Sequence, residues 1–328
     1  MNYLVTGATG FVGPHLLKRL VAEGHRCRCL VRPGNEKKLM SHPAIDPFPG
    51  DITRPETLKN IGDNIDCLLH LATLGHMSNY TVTEAMFQQI NVEGTKNIMQ
   101  AALDAGIPKI VHCSTVAAMG ICDEVPSTEE TTCNPHHPYG RSKLDAEKAV
   151  LQMVRENQLP ACIIRFSMVY GPGDPRDILR LTRMAKKRVF PKVSRRPKLT
   201  PLVHVQDAVD GLLLAAQNGS VGEIYLITNK ASEPFDQMIE MIQEALGVRK
   251  LPIYIPEWVA LSMAAAIEKT FLVLGKTPPV AKKNIESTLA DRVFSIQKAQ
   301  TELGFDPKID PAQGLKETVS WYKEQGWI

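Results

Sequence analysis

The run NYLVTGATGFVG constrains this 328-residue chain more than any other stretch. A short β-prone segment leads into Gly7, Gly10 and Gly13, and the amphipathic stretch FVGPHLLKRLVAEG follows, with Gly24 as its stop. Glycines at that junction let the backbone turn tightly. They also let a diphosphate approach the helix N-terminus, where free N–H groups and the helix dipole favour anions. The spacing is G-x-x-G-x-x-G rather than the usual G-x-G-x-x-G. Its position, between a first strand and a first helix, therefore carries more weight than its spacing.

The alternation continues. RCRCLVR reads as a second strand, with Cys27 and Cys29 on one face, and IDPFPGD as a third, weakened by its prolines. IDCLLHLA is a continuous apolar run, as a buried parallel strand should be. A helix over about 81–105 ends near Gly106, KIVHCST is a strand, 139–156 a helix, and ACIIRFSMVYG a single strand. Such order implies an α/β fold with βαβ units and a parallel sheet covered on both faces. After Gly171 the pattern changes: GPGD is a turn, 176–200 is basic and weakly periodic, and beyond 231 the chain is mostly helical. LTPLVHVQDAVDGLLLAAQNG and EIYLIT return to the sheet in between. The expected division is a sheet domain of 1–171 plus 201–230 and a smaller lobe of 172–200 plus 231–328.

A net charge of +3 is too small to suggest a nucleic-acid partner. Seven cysteines without a C-x-x-C pair or metal-ligand spacing suggest reduced, mostly buried thiols, a cytoplasmic location and no metal. The N-terminal run has no basic segment followed by a long apolar one, so no signal peptide is expected. The most apolar helix, EWVALSMAAAIEKTFLVLG at 257–275, is broken by Glu268 and Lys269. It is expected to be buried or to line a pocket rather than span a membrane.

Tyr139 and Lys143 lie four apart in YGRSK and share one helix face. A phenol titrates near pH 10, and a neighbouring ammonium makes its phenolate accessible. Ser114 and Thr115 close the fifth strand, at the sheet edge where ligands of such folds bind. Hydroxyl, phenol and ammonium together would hold a carbonyl and exchange a proton with it. An acidic residue about 20 positions beyond the glycines would bond a ribose 2′-hydroxyl, whereas an arginine suits a 2′-phosphate. Arg32 ends the second strand, with Lys37 and Lys38 behind it, so NADP is favoured over NAD.

These motifs, together with GDIT at 50–53, HLA at 70–72, NVEGTKN at 91–97, RFSMVYGPGD at 165–174, LVHVQDAVDG at 202–211 and FSIQKAQTELGFDP, resemble those of extended short-chain dehydrogenases/reductases. The resemblance implies a Rossmann-type doubly wound parallel sheet with a smaller, mostly helical C-terminal substrate lobe. It places NAD(P) against Gly7, Thr9, Gly10, Phe11, Val12, Gly13, Arg32, Asp51, Ile52, Leu71, Ala72, Thr73, Asn91, Ser114, Met168 and Val169. It makes Tyr139 the acid/base, Lys143 its tuner and ribose ligand, and Thr115 the catalytic hydroxyl. Substrate contacts are expected from Leu74, His76, Ala117, His137 and Met168, and a homodimer through the helices near 81–105 and 139–156. His70 and His204 fall inside family patterns and read as packing residues.

Within that family, sugar-nucleotide epimerases carry an arginine in an RDYIHV-like run that grips the substrate diphosphate. Here the run is TPLVHV, with Thr200 at the arginine position, although Arg195, Arg196 and Lys198 are near. Dehydratases place carboxylates after the catalytic hydroxyl, whereas Val116 and Ala117 follow Thr115. RFSMVYGPGD and LGKTPPV at 274–280 look closer to the 3-beta-hydroxysteroid dehydrogenase and dihydroflavonol reductase branch. The expected activity is hydride transfer between a nicotinamide and a ketone or secondary alcohol on a small, largely apolar substrate. A nucleotide-sugar epimerase with tightly held NAD is the alternative, and a non-catalytic NAD(P)-binding scaffold a third possibility.

Overall fold

The structure is a computed structural model that describes residues 1–75, 82–188, 196–248, 254–273 and 291–328. Its strands are β1 (Asn2–Thr6), β2 (Arg26–Val31), β3 (Ile45–Pro49), β4 (Cys67–His70), β5 (Ile110–Thr115), β6 (Ala161–Phe166), β7 (Met168–Tyr170), β8 (Leu199–Thr200), β9 (Leu202–His204), β10 (Ile224–Ile227) and β11 (Glu233–Pro234). Seven of them form one sheet in the order β10-β6-β5-β4-β1-β2-β3, every pair parallel. This is the Rossmann arrangement: successive strands add outward from β1 to one edge, then from β4 to the other. The order reverses between β1 and β4, and ligands of open α/β sheets bind beyond the C-terminal strand ends at such a point.

Alternating side chains explain how the sheet is sandwiched. Tyr3 and Val5 of β1 join Leu16, Leu17 and Leu20 of helix α1 (Val12–Ala22) in one core. Leu4, between them, belongs to the opposite core with Ile98, Met99 and Ala102. Cys27 and Cys29 are buried together on the α1 side, as their alternation predicts. Pro47 and Pro49 are tolerated in β3 because it is an edge strand.

Three expectations change. The helix expected over 81–105 begins with α2 (Glu84–Phe87), passes through a π-helical turn, Gln88–Glu93, and resumes as α3 (Gly94–Asp104). The single strand expected for ACIIRFSMVYG is two. Ser167 N still donates to Ile227 O at 3.1 Å, but Met168 N turns to Pro201 O, and β7 pairs with β9 outside the main sheet. Both halves are β-prone, so the sequence shows no break where the partner changes.

The third correction concerns the apolar helix. After α4 (Pro138–Asn157), α5 (Asp177–Lys186), α6 (Val205–Asn218) and α7 (Phe235–Leu246) comes α8 (Glu257–Val273). It is not a buried element: Trp258 is 73% exposed and Met263 49%, and among its described side chains only Ala260 and Ala264 are buried. Its apolar residues are spread around the axis, so no single face can be covered. No described helix is long and apolar enough to cross a membrane. A separate core joins Ile178 of α5, Met238 and Ile242 of α7, and Leu315 and Tyr322 of α9 (Pro311–Glu324).

Candidate active site

The glycine loop closes over the end of β1. Gly7 has φ +74°, and a Cβ there would lie 2.7 Å from Ala72 N, so both conformation and close approach require glycine. Gly13 lets α1 sit on the strand, since a Cβ would meet Ala8 O at 2.2 Å. Gly10 is different: its Cβ would touch only Gly7 O, at 3.2 Å, which leaves an open face. Thr9 and Gly10 are exposed, Phe11 and Val12 are half-buried, and no side chain caps α1 or places a carboxylate in its first turn. Free amides with an open approach fit a dinucleotide diphosphate. Arg32 follows β2, is exposed, and has no hydrogen bond from its side chain among the described residues.

The adjoining loops are held in place. Leu71 N donates to Thr6 O at 3.1 Å, and Ala72 N to Thr6 Oγ1 at 3.1 Å. Asp51 Oδ1 accepts from Thr53 N at 2.9 Å, and Ile52 O accepts from Asn97 Nδ2 at 2.8 Å. Asn91 lies on the π turn and is buried. Its Oδ1 accepts from Thr73 Oγ1 at 3.0 Å and Leu74 N at 2.7 Å, while Nδ2 donates to Leu74 O at 3.1 Å and Ser142 Oγ at 2.9 Å. One side chain thus ties the β4 loop to α4. Extra residues of this kind inside a helix recur at functional sites.

Tyr139 stands in the first turn of α4 and is half-buried. A hydrogen bond links it to Thr115, whose Oγ1 also accepts from Ala117 N at 3.2 Å. Burial raises the phenol above its ordinary pKa, and the fields of Arg176 and the Thr115 bond pull it back. Lys143 is buried one turn on and donates from Nζ to Cys113 O at 2.8 Å. Burial lowers its ammonium to about 8. His137 is the N-cap of α4, where its Nδ1 accepts from Tyr139 N at 3.1 Å.

Ser114 faces inward, donating to Glu147, which pairs with Arg165 at 2.8 Å inside the core. Met168 and Val169 lie half-buried on β7, and Ala117 presses its carbonyl toward Gly140. His76 and 274–280 lie outside the described residues, as does Arg195. His70 and His204 are buried, as expected of packing residues, and no metal-holding cluster occurs among the described residues.

Two features escape sequence reasoning. Arg176, beyond the GPGD turn, reaches back so far that a Cβ on Gly75 would meet its Nη1 at 3.2 Å. The Glu147–Arg165 pair had a faint signal, since Glu147 follows Lys143 by four and Arg165 interrupts an apolar strand. A cavity of about 100 Å³ is lined by Val116, the neighbour of Thr115 in sequence, and by Met168, Leu199, Thr200, Phe235 and Arg292, with Pro201. A larger groove, about 760 Å³, shares no lining residue with it and is carboxylate-rich, and there Lys298 pairs with Glu223 at 2.6 Å.

The family model described as the NAD dependent epimerase/dehydratase family matches residues 3–228. A ketoreductase of Stigmatella aurantiaca that acts on 4-hydroxy-2-methyl-3-oxo-4-farnesyl-3,4-dihydroquinoline-1-oxide is 29% identical over 96% of this chain and 95% of that protein. The 3-beta-hydroxysteroid dehydrogenase of Mycolicibacterium neoaurum is 28% identical over 98% of this chain and 91% of its own. Among solved structures, the dTDP-glucose 4,6-dehydratase DesIV of Streptomyces venezuelae, with NAD and TYD bound, superimposes with TM-score 0.79 at 26% identity, covering 100% of this chain and 98% of its own. Sheet order, glycine loop and family match agree: the chain belongs to the NAD dependent epimerase/dehydratase family, the extended short-chain dehydrogenases/reductases.

Proposed function

We propose that the protein is an NAD(P)-dependent oxidoreductase that interconverts a ketone and a secondary alcohol, with NADP preferred. The observation that carries this reading is the Thr115–Tyr139 hydrogen bond, next to Val116 of a mostly apolar cavity, with Val116 and Ala117 where elimination would need carboxylates. Residues 1–171 plus 201–230 would hold the cofactor and the remaining segments the substrate. When bound, the nicotinamide supplies or accepts the hydride. Thr115 orients the substrate oxygen through its hydroxyl. Tyr139 gives that oxygen a proton in reduction and takes it back in oxidation. Lys143, held by the Cys113 carbonyl one helical turn from Tyr139, would supply a cation on the phenol's side of α4 as its proton leaves. Arg32, exposed at the β2 end and without a side-chain partner among the described residues, supports the NADP preference.

The test mixes purified protein with NADPH or NADH and a panel of ketones. Consumption of NADPH, and a loss of about 10²–10⁴-fold in kcat for Tyr139→Phe with cofactor binding retained, is expected. Absence of cofactor binding, or unaltered turnover in Tyr139→Phe, overturns the reading. NAD that co-purifies and is never consumed would mark an epimerase instead.

A further inference from the structure

Arg292 enters the small cavity from a segment that the proposed chemistry does not use. Its backbone is pinned: N donates to Leu199 O at 3.1 Å, and O accepts from Ser232 Oγ at 2.9 Å. The adjacent Asp291 is turned away, accepting from Leu199 N at 3.2 Å and lying 3.9 Å from Arg196. Among the described residues the guanidinium itself makes one long contact, Nη2 to Val116 O at 3.4 Å, and lies 5.9 Å from the Phe294 ring centre. Its Nε is sealed from water and has no partner among the described residues.

A guanidinium offers five donors in a fixed fork and keeps its charge. Leaving such a group desolvated with an idle donor is costly, and buried charges are ordinarily paired. The rest of the wall is apolar apart from Thr200. A volume of about 100 Å³ has room for about three water-sized groups, the size of a carboxylate and less than a diphosphate. Val116, which the guanidinium touches, is next to Thr115.

We propose that Arg292 anchors a carboxylate of the substrate in this cavity, so that the ketone reduced beside Thr115 and Tyr139 belongs to an amphiphilic oxo acid. This rests on the oxidoreductase reading and narrows it, since a wholly apolar ketone would leave the cation unpaired. Planar, bidentate recognition suits a carboxylate. Val116, Met168, Leu199 and Phe235 would wall the carboxylate and the first carbon of the chain, and the rest of the chain would leave the cavity towards Thr115 and Tyr139.

The test needs no turnover. NADPH-loaded protein is titrated calorimetrically with hexanoate and benzoate, with their neutral counterparts hexanamide and benzamide, and with inorganic phosphate, at constant ionic strength. At least one acid should bind at least tenfold more tightly than its amide. Arg292→Met should abolish that preference and Arg292→Lys keep part of it. Quenching of protein fluorescence by NADPH reports the fold and cofactor site of each variant; if Arg292→Met fails to fold, Arg292→Gln replaces it. No preference of either acid over its amide, a preference that survives in Arg292→Met, or phosphate binding as tightly as the acids overturns the proposal. Failed ketone reduction with the acid preference intact would overturn the oxidoreductase reading alone.

Discussion

At the scale of single residues, the site depends on how charge surrounds one phenol. Tyr139 and Lys143 are legible in the sequence because four-residue spacing on a helix puts them on one face. The cation that opposes the effect of burial on Tyr139 is nevertheless Arg176, which 37 positions of sequence separate from it and only the fold brings near. Local spacing carries no record of such a contact. Arg176 stabilises the phenolate, so Arg176→Leu should raise the phenol pKa further. In the proposed mechanism the base for oxidation is the phenolate, and the rising limb of kcat/KM should then move to higher pH. Because the Arg176 side chain is 49% exposed, the displacement should shrink as salt is added. Rate profiles at two ionic strengths check both signs; a limb that stays in place would show that Lys143 alone sets the phenol. Gly13 makes a sharper claim: with Ala8 O 2.2 Å from its would-be Cβ, Gly13→Ala must displace α1 from β1. Weakened NADPH binding together with a lower Tm is expected, read by fluorescence titration and calorimetry.

Between elements, the buried ion pair does what packing alone does not. Glu147 on α4 accepts from Ser114 on β5 and from Arg165 on β6, with Arg165 Nη2 at 2.8 Å from Oε2. The two elements that carry the proposed catalytic groups, β5 and α4, are thereby fixed in register with β6. Glu147→Gln leaves a buried guanidinium without its counterion and should cost about 3–5 kcal/mol. Replacing both partners, Glu147→Leu with Arg165→Met, should cost far less, because no uncompensated charge stays inside. Denaturant midpoints of the two single variants and the double variant decide it, and an additive double would remove the coupling. The existence of these elements was readable, since strands buried on both faces are continuous apolar runs and helices are periodic. Their irregularities were not. QQINVE has the composition of ordinary helix, and what makes it a π turn is Asn91 reaching Thr73, Leu74 and Ser142, a contact made after folding. The exposed α8 fails for the opposite reason: its hydrophobicity is plain, but hydrophobicity without periodicity does not say what covers it.

For the molecule as a whole, three imidazoles sealed in the interior set its response to acid. His70, His112 and His204 are each fully buried. Burial pulls His70 down to about 3 and His204 to about 4, and pulls His112 well below the ordinary value. In the unfolded chain each titrates near 6.5. Above that pH neither state binds the proton, and the native advantage is complete. As pH falls below 6.5 the unfolded chain takes up protons that the native interior refuses, and stability declines by up to about 1.4 kcal/mol per pH unit for each histidine. Asp174 works against this, because burial raises it to about 6; between its unfolded value near 4 and that pH the native state holds the extra proton. Burial raises Glu129 and Glu233 in the same sense as Asp174, but the histidines refuse protons over the wider range, from 6.5 down to about 3 for His70, so Tm should fall from pH 6.5 towards pH 4. His112 isolates the effect. Neither of its ring nitrogens has a hydrogen-bond partner among the described residues, and it stacks on His70 with 5.2 Å between ring centres. His112→Leu therefore removes a group that must stay neutral without breaking a bond. Scanning calorimetry at pH 8 should find little change in Tm, whereas at pH 5 the variant should unfold at a higher temperature than the parent. A Tm–pH slope equal to the parent's would show that His112 takes up its proton in the native state, and that burial does not hold it neutral.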